Sequence, residues 1–135
     1  MHTDKYGVLG PLYADVGREL AKIVGGDPDG TFLYAEAGEG WLGASVFKDE
    51  GNRVQYFDPS SELCDLLFDA WEAENPNPKM RWSVMEYQIK GSKFDTQFRY
   101  PDEVEAQSFD DERREAALSR HFGDKQVVYP PPPGQ

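Results

Sequence analysis

Cysteine occurs once in the 135 residues, at Cys64, and histidine only twice, at His2 and His121. A lone cysteine forms no internal disulfide, which fits a reducing compartment. With two histidines, the chain has few general bases to activate a serine, threonine or cysteine nucleophile. His2 lies at the amino terminus, and His121 falls in the last turn of an expected helix, where the dipole favours an imidazolium and helix capping is its expected role. Positive charge is also scarce: 14 Lys and Arg stand against 25 Asp and Glu, a formal net charge of −11. That balance argues against direct nucleic-acid binding, which relies on cations replacing the counterions of phosphate, and favours a basic protein partner. Apolar runs of membrane-spanning length are missing, and the opening MHTDKYGVLG lacks the basic segment and apolar run of a secretory signal, so a cytoplasmic location is expected.

Metal-binding signals are equally thin. There is no calcium-loop pattern and no paired His or Cys ligands, so no catalytic, cofactor or metal residue is expected, and a carboxylate-based metal enzyme stands only as an alternative. Gly38, Gly40 and Gly43 match GxGxxG in GEGWLG, but Trp41 would crowd a pyrophosphate, Glu36 and Glu39 would repel it, and a strand is expected to follow. The stretch reads as a turn.

What is present describes a folded chain. Apolar residues make up 39% and aromatic residues 13%, enough to fill one core at this length. The expected class is α+β, in the order α-β-β-β-α-β-β-α, with about five antiparallel strands against helices. The expected organisation is one domain over residues 1–124 and an extended, proline-rich tail over 125–135. Leu12, Tyr13, Val16, Leu20, Ile23 and Val24 have helical spacing, in a helix that begins at Pro11 or upstream near Asp4, bending at Gly10-Pro11. Gly17 weakens it. Residues 31–37, 41–47 and 53–57 alternate as a meander, with Phe32/Tyr34, Leu42/Ala44/Val46 and Val54/Tyr56 marking core-facing sides. A second helix is capped by Asp58 with Pro59 in its first position, and NPNP ends it. In the hairpin that follows, Phe94, Thr96, Phe98 and Tyr100 share the side expected to be buried. Its first arm changes phase between Trp82/Val84 and Met85/Tyr87/Ile89, which requires either two covered faces or a bulge near residues 83–85. A third helix is capped by Ser108 or Asp110 and stopped by Gly123.

The second helix poses the functional question. FDPSSELCDLLFDAWEAEN, residues 57–75, holds six acidic side chains and no basic one. Asp58, Glu62, Asp65, Asp69 and Glu72 recur at spacings of four and three, forming one stripe opposite an apolar band of Leu63, Cys64, Leu66, Leu67, Phe68 and Trp71. Like charges at these spacings cost about 0.2 to 0.5 kcal/mol per pair, and Asp69, Glu72 and Glu74 lie toward the negative end of the dipole. The plain explanation is a solvated face that keeps the chain soluble. The sharper one is a docking face for a basic macromolecule, with a second acidic segment at Asp102, Glu103, Glu105, Asp110, Asp111, Glu112 and Glu115, relieved only by Arg113 and Arg114. The expected partner-binding residues are therefore Glu62, Asp65, Asp69, Glu72, Asp102, Glu103, Asp110 and Asp111. Homodimer formation is left open.

Three segments, YFDPSSELCDLLFDAWEAE, RWSVMEYQIKGSKFDTQFRYPDE and FDDERREAALSRHFG, together resemble the YezG-like immunity proteins, antitoxins of bacterial polymorphic toxin systems. The sharpest part is a Trp-led strand followed by a Phe-x-x-x-Phe-x-Tyr strand, here Trp82, Phe94, Phe98 and Tyr100. The resemblance implies an α+β protein that binds a cognate toxin, often a nuclease, and it carries over no active site. Where the family pattern often has an acidic residue between the last Phe and Tyr, this chain has Arg99, and its turn is Gly91-Ser92-Lys93 rather than Gly-Lys. Those departures bear on partner specificity. A general acidic binding or scaffold domain is the competing reading.

Overall fold

The computed structural model describes residues 5–104 and 110–129, and no side-chain description extends to residues 5–8 or 110–111. Nine elements follow one another: α1 (Lys5–Val24), β1 (Thr31–Gly38), β2 (Trp41–Asp49), β3 (Val54–Phe57), α2 (Ser61–Glu74), β4 (Val84–Lys90), β5 (Lys93–Arg99), α3 (Asp110–Phe122) and β6 (Val127–Val128). The expected class and order hold, with one more strand than expected. The sheet runs β5-β4-β1-β2-β3-β6, antiparallel throughout except for the parallel pairing of β3 with β6. Val127 and Val128, expected to lie in an extended polyproline tail, instead pair with Val54 and Gln55. Gln55 reinforces this by donating from Nε2 to the Val128 carbonyl at 3.2 Å. The PPPP segment falls outside the described residues.

Three layers result. α1 and α2 cover one face of the sheet through Tyr13, Val16, Leu20, Leu63, Leu67, Ala70 and Trp71, packed on Leu33, Ala35, Val46, Met85 and Tyr87. α3 covers part of the other through Ala117, Leu118 and Phe122, packed on Phe32, Tyr34, Phe47 and Val54. The alternating sets read from the meander are thus real but serve different cores: Phe32 and Tyr34 face α3, whereas Leu42, Ala44 and Val46 face α1 and α2. The phase change in the first arm of the hairpin has a similar origin. Val84 joins the α3 core and Met85, Tyr87 and Ile89 join the other, so both faces of β4 are covered. Trp82 precedes the strand, between bends at Arg81 and Ser83, and turns back into the α1/α2 core.

Several local expectations change. Of the two starts expected for α1 the upstream one is taken, and the helix runs from Lys5 through Pro11. Gly17 has a packing reason: Tyr87 lies so close that a Cβ at residue 17 would meet its hydroxyl oxygen at 2.8 Å, and that hydroxyl donates to the Tyr13 carbonyl, also at 2.8 Å. Asp58 does not cap α2. Ser60 does, in an extended conformation (φ −82°, ψ 161°) that places Asp58 and Pro59 before the helix. The Ser60 hydroxyl accepts from the Leu63 N–H at 3.1 Å and donates to Glu19 of α1 at 2.9 Å. Ser60→Ala is therefore expected to lower stability by about 1 kcal/mol, measurable by urea unfolding. The hairpin side expected to be buried is only half so, because β5 is an edge strand. Thr96, Phe98 and Tyr100 are partly covered, and Phe94 is exposed. The expected cap of α3 at Ser108 lies outside the described residues. Its stop at Gly123, with φ +69°, is present.

Candidate functional site

α2 fixes the carboxylate stripe by burying its other side. Leu63, Leu67, Ala70 and Trp71 are at most 3% exposed, and Cys64 is intermediate, with burial the main reason its thiol pKa is raised. Glu62, Asp65, Asp69 and Glu72 are all exposed along the opposite side. None of them has a cationic partner among the described residues. Asp58 is exposed as well, but it precedes the helix beside Tyr56, so the ridge begins at Glu62.

Glu74 departs from the sequence reading. It is buried, and its Oε1 accepts from the Tyr100 hydroxyl at 2.7 Å. The negative end of the helix is met by a cation from the following loop: Arg81 donates from Nε to the Asn75 carbonyl at 2.7 Å, and its guanidinium carbon lies 4.5 Å from the centre of the Trp71 ring. Arg81 lies six positions beyond Asn75, whereas Glu74 is satisfied by Tyr100, 26 positions away, so the strain attributed to Glu74 is relieved by a tertiary contact. Asp69 and Glu72 receive no equivalent relief.

The Tyr100–Glu74 bond joins the start of the second acidic segment to the end of α2. Asp102 and Glu103 follow immediately in a single 3-10 turn, Pro101–Glu103, both exposed, with Glu103 also accepting from the Tyr100 N–H at 3.1 Å. Glu74 itself faces the core, opposite the exposed carboxylates of α2, so the bond brings these two residues near the carboxyl end of the helix. Helix α3 packs on the other face of the sheet from α2. Glu112 and Glu115 are exposed there, and the side chains of Asp110 and Asp111 fall outside the described residues, as does Glu105.

Of the two arginines that relieve this second segment on paper, Arg113 faces inward. Arg113 grips the buried Glu36 of β1 with two hydrogen bonds, Nε to Oε2 at 3.0 Å and Nη2 to Oε1 at 2.6 Å, and Tyr34 donates to Oε2 at 2.5 Å. Burial, followed by the hydrogen bond to Glu36, pushes the Tyr34 phenol far above its usual value, while the bond to Glu36 raises Arg113 further. Sequence reading missed this pair. The available signal was Glu36 sharing the Phe32/Tyr34 side of an otherwise apolar strand.

His121 also departs from expectation. Its ring stacks on Phe32, with centroids 4.4 Å apart, and burial lowers its pKa, helped by Lys90 and opposed by Glu86 and Asp49. The imidazole is therefore held in its neutral form rather than as a charged helix cap. It borders a pocket of about 210 Å³ floored by Glu86, Gln88, Asp95 and Gln97 and walled by Arg120, which pairs with Glu86 at 2.9 Å. A His pKa below the unfolded value of 6.5 means that the unfolded chain takes the proton first as pH falls. Stability is expected to drop as pH falls from about 7.5 through 6.5 toward the lowered folded-state value, and His121→Gln to flatten the drop in thermal melts.

The glycine motif forms a tight hairpin: Gly38 pairs with Trp41 across Glu39-Gly40, Gly40 has φ +81°, and β2 follows rather than a helix. No group of three His, Cys, Asp or Glu among the described residues is placed to hold a metal ion. No helix among them is long and apolar enough to cross a membrane. No protein-family model matches the chain, and no curated protein matches it.

Proposed function

We propose that this chain is an immunity protein, an antitoxin that neutralises a basic, nuclease-type toxin by stoichiometric binding in the cytoplasm, without catalysis. One observation carries the reading: the exposed row Glu62, Asp65, Asp69 and Glu72 has no cation within the described chain, on a helix whose other side is locked into the core. Asp102 and Glu103 add exposed negative charge near the carboxyl end of the same helix, where Tyr100 bonds Glu74. A nuclease displays lysine and arginine to hold phosphate, and a fixed line of carboxylates competes for that surface and accelerates encounter. The resemblance of the α2, hairpin and α3 segments to YezG-like immunity proteins supports the toxin as the basic partner.

Affinity capture on the tagged chain at low ionic strength tests this. The reading expects a basic protein, encoded beside this chain, that is released by about 0.5 M salt as the charges are screened. Capture of an acidic protein, or of a basic one indifferent to salt, contradicts it. A general scaffold domain would instead retain partners that are harmless when expressed alone.

A further inference from the structure

Among the described residues, β5 is the long open edge of the sheet. β4 pairs with it along Lys93–Arg99, and no strand among the described residues lies on its other side. The hairpin closes on the pair Lys90 and Lys93 through the two-residue turn Gly91-Ser92, where Gly91 has φ +61°. In such hairpins the closing pair exchanges hydrogen bonds, so Lys93, Asp95 and Gln97 direct their backbone groups to β4, while Phe94, Thr96 and Phe98 direct theirs outward. Those outward groups are a template for another strand.

The side chains specify which strand fits. Lys93, Asp95, Gln97 and Arg99 lie on the α3 side of the sheet, and Asp95 has only a long, 3.4 Å contact from the Gln88 amide. Arg99 is 42% exposed and reaches Glu86 only at 3.9 Å. On the other side Phe94 is 43% exposed, stacked on Tyr87 at 5.0 Å. Placing a second β5 antiparallel, with the two-fold axis at Gln97, sets Asp95 opposite Arg99 of the second copy, twice by symmetry. The same register sets Thr96 opposite Phe98 and Phe94 opposite Tyr100. Moving the axis to Thr96 brings Lys93 against Arg99, and moving it to Asp95 brings Asp95 against itself, both unfavourable across a strand pair. The sequence of this edge is therefore complementary to itself in one central register.

We infer that β5 is a self-docking edge, across which a second copy of this chain joins two six-stranded sheets into one. The axis of such a pairing stands perpendicular to the sheet, so both copies keep α1 and α2 on the same side. The two α2 carboxylate rows then share one face of the dimer, and the two α3 helices share the other.

Sedimentation equilibrium of the full chain tests the inference independently of any toxin. The wild type is expected to dimerise reversibly at concentrations up to about 100 µM. Asp95→Arg alone and Arg99→Asp alone each turn two attractions into two repulsions and are expected to weaken the dimer by about tenfold or more. An equimolar mixture of the two single variants, and the double variant Asp95→Arg/Arg99→Asp, restore opposite charges and are expected to dimerise again. A monomeric wild type, or a dimer indifferent to the single reversals, overturns the inference. Failure of both the mixture and the double variant to recover, with circular dichroism unchanged, overturns the register.

Discussion

Replacing Asp65, Asp69 and Glu72 together by lysine is expected to slow association with the proposed basic partner by about tenfold or more and to flatten its dependence on ionic strength. The reasoning is electrostatic. These carboxylates are exposed and unpaired within the described chain, so their field acts on an approaching partner rather than on a neighbouring side chain. Their removal leaves the fold in place, because α2 is held by Leu63, Leu67, Ala70 and Trp71 on its other side. The melting temperature should change little, since the new lysines favour the carboxyl end of the helix while repelling one another. Stopped-flow association measured at several salt concentrations gives the result directly. An unchanged rate constant and salt slope in a folded triple variant would remove this surface from consideration.

The largest expected effect on stability lies elsewhere, at Arg113→Met, which should cost about 3 kcal/mol in urea unfolding. Glu36 is 6% exposed, and Arg113 supplies both of its cationic hydrogen bonds. Removing the guanidinium leaves a carboxylate beneath α3 with only the Tyr34 hydroxyl to satisfy it. Removing both charges is a different matter, because the desolvation of the pair disappears with it. Glu36→Leu/Arg113→Met is thus expected to recover most of the lost stability. A double variant as unstable as the single would mean that the pair contributes by shape and packing rather than by charge compensation.

These two sites were unequally visible in the sequence. The α2 ridge is a local pattern, with carboxylates at spacings of three and four on one side and apolar residues on the other, and helical geometry alone is enough to predict it. The same holds for most elements, which rest on periodicity and turn chemistry. Non-local contacts were not legible. Arg113 reaches Glu36 across 77 positions of sequence, and Tyr100 reaches Glu74 across 26. His121 looked like a charged helix cap because its neighbours along the chain suggest one, whereas the ring of Phe32 and the ammonium of Lys90, both from other elements, set its charge state. Val127 and Val128 precede a proline run and read as tail, but β3 offers them an open edge. The Asp58-Pro59 pair has the right composition for a helix start, and Ser60 takes the role because it alone is placed to bond both Leu63 and Glu19.

The central claim is that the ridge on α2 is completed by a positively charged toxin, and a growth assay addresses it most directly. Cells expressing the proposed toxin are expected to survive with the wild type and to die with Asp65→Asn/Asp69→Asn/Glu72→Gln, produced at the same level and equally folded. Equal survival with both proteins, accompanied only by a higher melting temperature of the neutralised one, would contradict the account.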